Sequence, residues 1–196
     1  MVQFNFSDFP IIRTERLVLR QITANDMAEI YELRSDEQMM KYIGRPPLQG
    51  IEEANNLINS MQESLDKTNG ITWGIELNNN KKLIGNLGFW KITHEHYRAE
   101  LGYMLLSEFQ GKGIMDEALK AILKFGFGPM NLHSVEANVD PENKASIRLL
   151  ERNHFVREAF FTENFYFDGK FLNSAIYCLI KPNFAEKNKN KSVHEI

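Results

Sequence analysis

The order of apolar patterns along this 196-residue chain predicts an α/β (α+β) protein, a mixed sheet of about seven strands with about four helices on its faces. Three observations carry that prediction. Period-two and period-3.6 segments alternate in the order strand, two helices, three strands, helix, strand, helix, two strands. Two turns, Asn78-Asn79-Asn80-Lys81 and Asp168-Gly169, consist of residues that tolerate the positive φ of hairpins. A strand also gives way to a helix through Phe109-Gln110-Gly111-Lys112-Gly113-Ile114-Met115, which places two glycines one residue apart.

Residues 16–22, RLVLRQI, alternate as a half-buried strand does. Thr23 then opens a helix, with Asp26 three residues on in the manner of a capping box. Two prolines in GRPPLQG make 44–50 a loop. Ile51, Ala54, Leu57, Ile58, Met61 and Leu65 share one helical face, so 51–65 is a helix. Residues 71–77 and 82–92 form a hairpin, and a further strand covers 98–106. Met115, Ala118, Leu119, Ile122 and Leu123 mark a helix that runs to the breaker Gly126-Phe127-Gly128-Pro129. A strand near 132–139, a short helix near 143–153 and a strand pair about Asp168-Gly169 complete the pattern. Residues 1–182 read as one domain and 183–196 as a polar tail expected to be mobile.

Apolar residues make up 43% and charged residues 25%, as in an ordinary globular chain, and a net charge of −3 gives no nucleic-acid footprint. The lone Cys178 excludes an internal disulfide and suits a reducing compartment. No apolar run approaches the ~20 residues of a membrane helix, and the first residues lack a signal-like core. The expected location is cytoplasmic, with no membrane or nucleic-acid partner. Nothing in the pattern fixes the oligomeric state, and a homodimer is compatible with it.

A strand feeding a helix through Gly-x-Gly leaves the first N–H groups of the helix free to bind phosphate. The motif lacks the Gly-Lys-Ser/Thr of a P-loop, and Asp116 stands where a dinucleotide fingerprint has its third glycine. A tight turn and a phosphate site both remain open on these residues alone. Residues 99–119, AELGYMLLSEFQGKGIMDEAL, resemble the acetyl-CoA signature of the GNAT N-acetyltransferases, nearest to the branch with the ribosomal-protein N-terminal acetyltransferases. Gln110 and Gly113 match the signature, while Met115 replaces a small residue. Residues 140–155, DPENKASIRLLERNHF, are similar to the family's next motif through Asn143, Ser146 and Phe155, with His154 in place of glycine. Residues 11–33 look like the branch's opening strand and helix.

The resemblance implies a GNAT fold with a mostly antiparallel sheet splayed between its fourth and fifth strands, and acetyl-CoA as cosubstrate. It places the pantetheine arm against the backbone of Met104, Leu105 and Leu106, and the pyrophosphate on Gln110, Gly111, Lys112, Gly113, Ile114 and Met115. Lys112 is equally a solvated surface lysine, and Met115 must turn its side chain into the core for the loop to keep its shape.

The implied chemistry is direct attack of a neutral amine on the thioester. Holding a lysine amine neutral near pH 7 costs about 4–5 kcal/mol, against about 1 kcal/mol for an α-amino group. Glu100 falls at the family's usual base position, and its other readings are a solvated strand-end carboxylate or a partner of Arg98. The tyrosine that many relatives use at the leaving thiolate is Leu150 here. Ser146 takes that role in the ribosomal-protein branch; both Ser146 and Asn143 could instead cap the short helix.

His94 and His96 lack a third ligand nearby, so no metal is expected. Tyr42, Trp73, Trp90, Phe160, Phe161, Phe165, Tyr166 and Phe167 divide between an acceptor pocket and the core, with core the expectation for most. The acceptor read from the resemblance is an N-terminal α-amino group of a protein such as a ribosomal protein. The rivals are a small amine, polyamine or antibiotic, and a non-catalytic acyl-CoA-binding module. Loops 35–50 and 157–172, which would shape the acceptor pocket, carry no transferable code.

Overall fold

The computed structural model describes Phe6, residues 8–181 and Phe184; the predicted tail, apart from Phe184, lies outside the described residues. The opening strand is β2 (Leu17–Gln21), preceded by a two-residue partner, β1 (Ile12–Arg13), that the alternation did not show. Asp26 accepts from the Thr23 N–H at 2.7 Å, the expected reciprocal half of a capping box, and α1 follows (Met27–Ser35). The short helix α2 (Glu37–Met40) was not predicted; α3 (Ile51–Asp66) was.

Next come β3 (Ile71–Leu77), β4 (Asn80–Thr93) and β5 (Arg98–Leu105), then α4 (Ile114–Phe127), β6 (Ser134–Val139), α5 (Lys144–Arg152), β7 (Val156–Phe167) and β8 (Lys170–Ile180). Asp168 and Gly169 take φ of 47° and 79°, the paired positive values that a tight hairpin demands.

All eight strands form one sheet in the order β1-β2-β3-β4-β5-β6-β8-β7, and every neighbouring pair is antiparallel except β5 and β6. Strand alternation sends side chains to two cores. Trp73, Phe89, Leu101 and Leu105 face α4 and α5, while Leu83 and Met104 face α1 and α3. The parallel ladder is short: Arg98 pairs with Ser134, Ala99 with Val135 and Glu100 with Glu136, after which β5 runs on to Leu105 paired with β4 but not with β6. At the same level, β4 carries a bulge between Phe89 and Lys91. A bulge bends its strand and raises the local twist, which accounts for β5 turning away from β6.

Candidate active site

The parted strands leave backbone groups of β5 without a ladder partner. The Tyr97 carbonyl accepts from β6-side amides at 2.7 and 3.3 Å, whereas the Leu106 N–H donates to Ile84 on β4 at 2.9 Å. Alternation from those two anchors turns Leu101, Tyr103 and Leu105 toward the gap. Of the residues expected to face a pantetheine arm, Leu105 does so by its backbone. Met104 and Leu106 point theirs at β4, and the Tyr103 backbone faces the gap instead.

Gly111 and Gly113 adopt φ of 71° and 74°, the left-handed region that favours glycine. A Cβ would meet nothing within 4 Å at Gly111 and only an Arg16 guanidinium nitrogen at 3.5 Å at Gly113, so conformation rather than crowding sets the residue type. The resulting loop leaves each backbone N–H from Gly111 through Met115 to Asp116 without an acceptor among the described residues; the first bond of α4 runs from Glu117 to Gly113 at 3.1 Å. A row of free donors at a helix start is the arrangement that suits a phosphate.

Gln110 plays a different part from the one expected. Its own N–H is taken by the Ser107 carbonyl at 3.1 Å, and its side chain donates to the Leu105 carbonyl at 2.9 Å, bracing the loop against β5. Arg16 holds the other side, donating to the Lys112 carbonyl at 3.0 Å and to Glu117 at 2.5 Å. The exposed Lys112 ammonium lies 5.8 Å from the Phe109 ring centre, at the rim. Half-buried Met115 packs against the main core and also lines the cleft beside the loop.

Across this cleft of about 340 Å³ stands α5, which contributes Asn143, Ser146, Arg148 and Arg152. Asn143 caps the helix: its side-chain oxygen accepts from the Ser146 N–H at 3.0 Å. Ser146 is therefore not the cap. Its buried hydroxyl lies 2.6 Å from the Tyr103 hydroxyl. Burial pushes the Tyr103 phenol up to about 12, with the Ser146 bond pulling slightly the other way, so the pair stays protonated at neutral pH.

Tyr103 and Met104 also line a second cleft, of about 430 Å³, on the opposite side of the gap. Glu100 lies there, half-buried. Arg98 does not pair with it; Arg98 grips Glu136 through Nε at 3.0 Å and Nη2 at 2.5 Å. Burial raises the Glu100 carboxyl above its ordinary value and Glu136 adds to that rise, against smaller opposing effects from Lys91, Trp90 and Arg98. A carboxylate displaced toward neutrality beside a cleft suits proton abstraction.

The aromatic residues divide otherwise than expected. Trp73 is fully buried and donates to the Pro10 carbonyl at 2.7 Å. Tyr42, Trp90 and Phe165 line the second cleft, and Phe160, Phe161, Phe165 and Tyr166 on β7 are 43–62% exposed rather than core. His94 and His96 lie in a short 3₁₀ turn, with His94 Nε2 2.8 Å from the Thr68 carbonyl. Among the described residues no group of three or more His, Cys, Asp or Glu side chains could hold a metal ion. Burial pushes the Cys178 thiol up to about 12, where it is no nucleophile.

An open strand edge that can accept an amide-bearing arm, ending at a helix-start cradle for phosphates and flanked by a carboxylate, suits CoA and one kind of chemistry. The fold and site define an acetyl-CoA-dependent N-acyltransferase. The acetyltransferase (GNAT) domain model matches residues 16–156, and the chain belongs to that family. It is 34% identical over 174 residues to the uncharacterized N-acetyltransferase YoaA of Bacillus subtilis, covering 89% of this chain and 98% of that one. Two solved structures share the fold. One, with TM-score 0.80 and 22% identity, covers 87% of this chain and 99% of an acetyl transferase from Salmonella typhimurium that modifies the N-terminal serine of ribosomal protein L7/L12. The other, with TM-score 0.79 and 24% identity, covers 88% of this chain and 99% of spermidine N-acetyltransferase from Vibrio cholerae, in complex with CoA and spermine.

Proposed function

We propose that this enzyme acetylates an N-terminal α-amino group of a protein, by direct transfer from acetyl-CoA. The observation that carries the reading is the meeting of two clefts at Tyr103 and Met104, with the cradle and Ser146 on one side and Glu100 on the other. When bound, acetyl-CoA supplies the activated acyl group. The Leu105 and Tyr103 backbones align the arm, and the N–H groups from Gly111 to Asp116 take the phosphates.

The amine reaches the thioester from the second cleft. Its nitrogen forms the new C–N bond, the C–S bond breaks, and the amine proton passes to Glu100 directly or through water. Ser146, backed by the Tyr103 hydroxyl, offers a proton or hydrogen bond to the departing sulfur. Asn143 positions Ser146 by capping its helix. An α-amino acceptor suits a single carboxylate base, because little energy is needed to hold such an amine neutral.

Replacement of Glu100 by Gln tests the assignment. Turnover should fall roughly 10²–10⁴-fold, while CoA affinity stays near wild type. In the wild type, activity should climb with pH as the raised Glu100 carboxyl and the acceptor amine lose their protons. Full activity in the variant would show that water alone serves as base. A panel of peptide N-termini and polyamines identifies the acceptor; turnover of polyamines with no peptide acetylated would refute the protein acceptor.

A further inference from the structure

The acceptor cleft is bounded on one side by the end of α1 and the segment after α2, which bring Arg34, Lys41, Tyr42 and Arg45 to its wall. Arg20, Arg34 and Arg98 are the half-buried arginines of the described chain. Arg20 pairs with Asp26 and Glu76, and Arg98 with Glu136. Arg34 has no carboxylate within ion-pair distance among the described residues. Its Nε is buried without a hydrogen-bond partner, the one such side-chain atom among the described residues.

A buried donor left unmade costs about 1–3 kcal/mol, more when charged, so the position is unfavourable for stability alone. Burial and the like charge of Arg45 pull the guanidinium down to about 10, which still leaves it protonated at neutral pH. Asn86 is buried on the same face of the sheet and lines the same cleft, paired in register with Met104 at the gap. The charges that act on Glu100 are Glu136, Lys91 and Arg98. Glu100 stands on β5 and Arg34 near the end of α1, so the carboxylate and the unpaired guanidinium line the cleft from different elements.

We propose that the acceptor carries an anionic group, a carboxylate or phosphate, on the same molecule as its primary amine, and that Arg34 reads that group with Arg45 beside it and Asn86 as a neutral donor. The inference rests on the acyl-transfer reading of this cleft. It selects against polyamines, whose second ammonium would meet the Arg34, Lys41 and Arg45 charges. An acidic side chain near a protein N-terminus and the carboxylate or phosphate of a small amine share the required chemistry.

Matched acceptor pairs test the proposal on the full chain with acetyl-CoA. Peptides would differ only in Glu against Gln or Lys at the second and third positions; small amines would be an amino acid against its amide and an aminoalkyl phosphate against the amino alcohol, with spermidine added. The anionic member of a pair should be used about 10–100-fold better in kcat/KM, the range of a hydrogen bond to a charged group. Most of that advantage should lie in KM. In Arg34→Gln the preference should fall to near one, and Arg34→Lys should restore part of it. A preference confined to peptides assigns the anion to a protein acceptor, and one confined to the small pairs assigns it to a small amine; both support the proposal.

Equal use of both members of every pair, or a preference for spermidine, overturns it. So does a preference that persists in Arg34→Gln. Titration of the same pairs against the CoA-bound protein keeps the test independent of turnover. If no amine is acetylated the transfer reading fails, and the inference then stands or falls on whether the anionic members bind more tightly in an Arg34-dependent way.

Discussion

At the start of α5, capping and the proposed chemistry fall on different residues. Asn143 supplies the cap and leaves the Ser146 hydroxyl to Tyr103, 2.6 Å away. Ser146→Ala should therefore keep the helix and lose turnover, with kcat lower by roughly 10²-fold and stability lower by about 1–3 kcal/mol, because the buried Tyr103 hydroxyl loses its partner. Tyr103→Phe separates the two hydroxyls. If Tyr103 only orients Ser146, its loss should cost less than the loss of Ser146, and single-turnover acetyl transfer would show the ranking. A larger effect from Tyr103→Phe makes the phenol the acid itself. Ser146 and Asn143 were legible because the motif fixes their spacing. Tyr103 was not, since its importance depends on which way β5 faces at the gap, and that phase is set by hydrogen bonds to β4. Arg34 was hidden for a related reason: a missing partner is a property of the folded neighbourhood, and the sequence shows only an arginine near the end of a helix.

The glycine loop shows what an element contributes beyond its residues. Gly111 and Gly113 stand in largely open space, so their value lies in the left-handed backbone of a loop that leaves successive N–H groups from 111 to 116 without an acceptor among the described residues. Gly113→Ala should strain that conformation by about 1–2 kcal/mol. If the strained loop relaxes in the free protein and is rebuilt on binding, CoA affinity falls roughly 5–30-fold, readable by calorimetric titration. Unchanged affinity would mean the loop holds its shape without glycine. Most element boundaries were readable because long periodic segments such as α3 and α4 bury one face. The misses were local. Two-residue β1 and four-residue α2 are too short to show a period, and the apolar run on β7 reads as core although both its faces are largely exposed. An edge strand and a buried strand can share a composition, and only the position of β7 beyond β8 distinguishes them.

At the scale of the molecule, a net charge of −3 repels a polyanion such as CoA, so binding has to rely on local fields. At physiological ionic strength the Debye length is about 8 Å, which screens distant charge while leaving groups beside the cleft effective. Those groups are Arg148 and Arg152 on α5, one helical turn apart on its exposed side, and Lys112 at the loop. CoA at a hundred times its Kd should stabilise the fold by about 2.7 kcal/mol, a Tm rise of roughly 5–10 °C for a chain of this size. Exposed charge pairs contribute about 0.2–1 kcal/mol each, so the Arg148→Ala/Arg152→Ala variant should raise the Kd roughly 2–30-fold and shrink the shift at fixed CoA. Because that attraction is screened, the wild type should lose more affinity than the double variant when salt is raised from about 0.05 to 0.5 M. Equal salt dependence would assign the phosphates to the backbone cradle alone, and the absence of any shift with CoA would remove the cleft as its site.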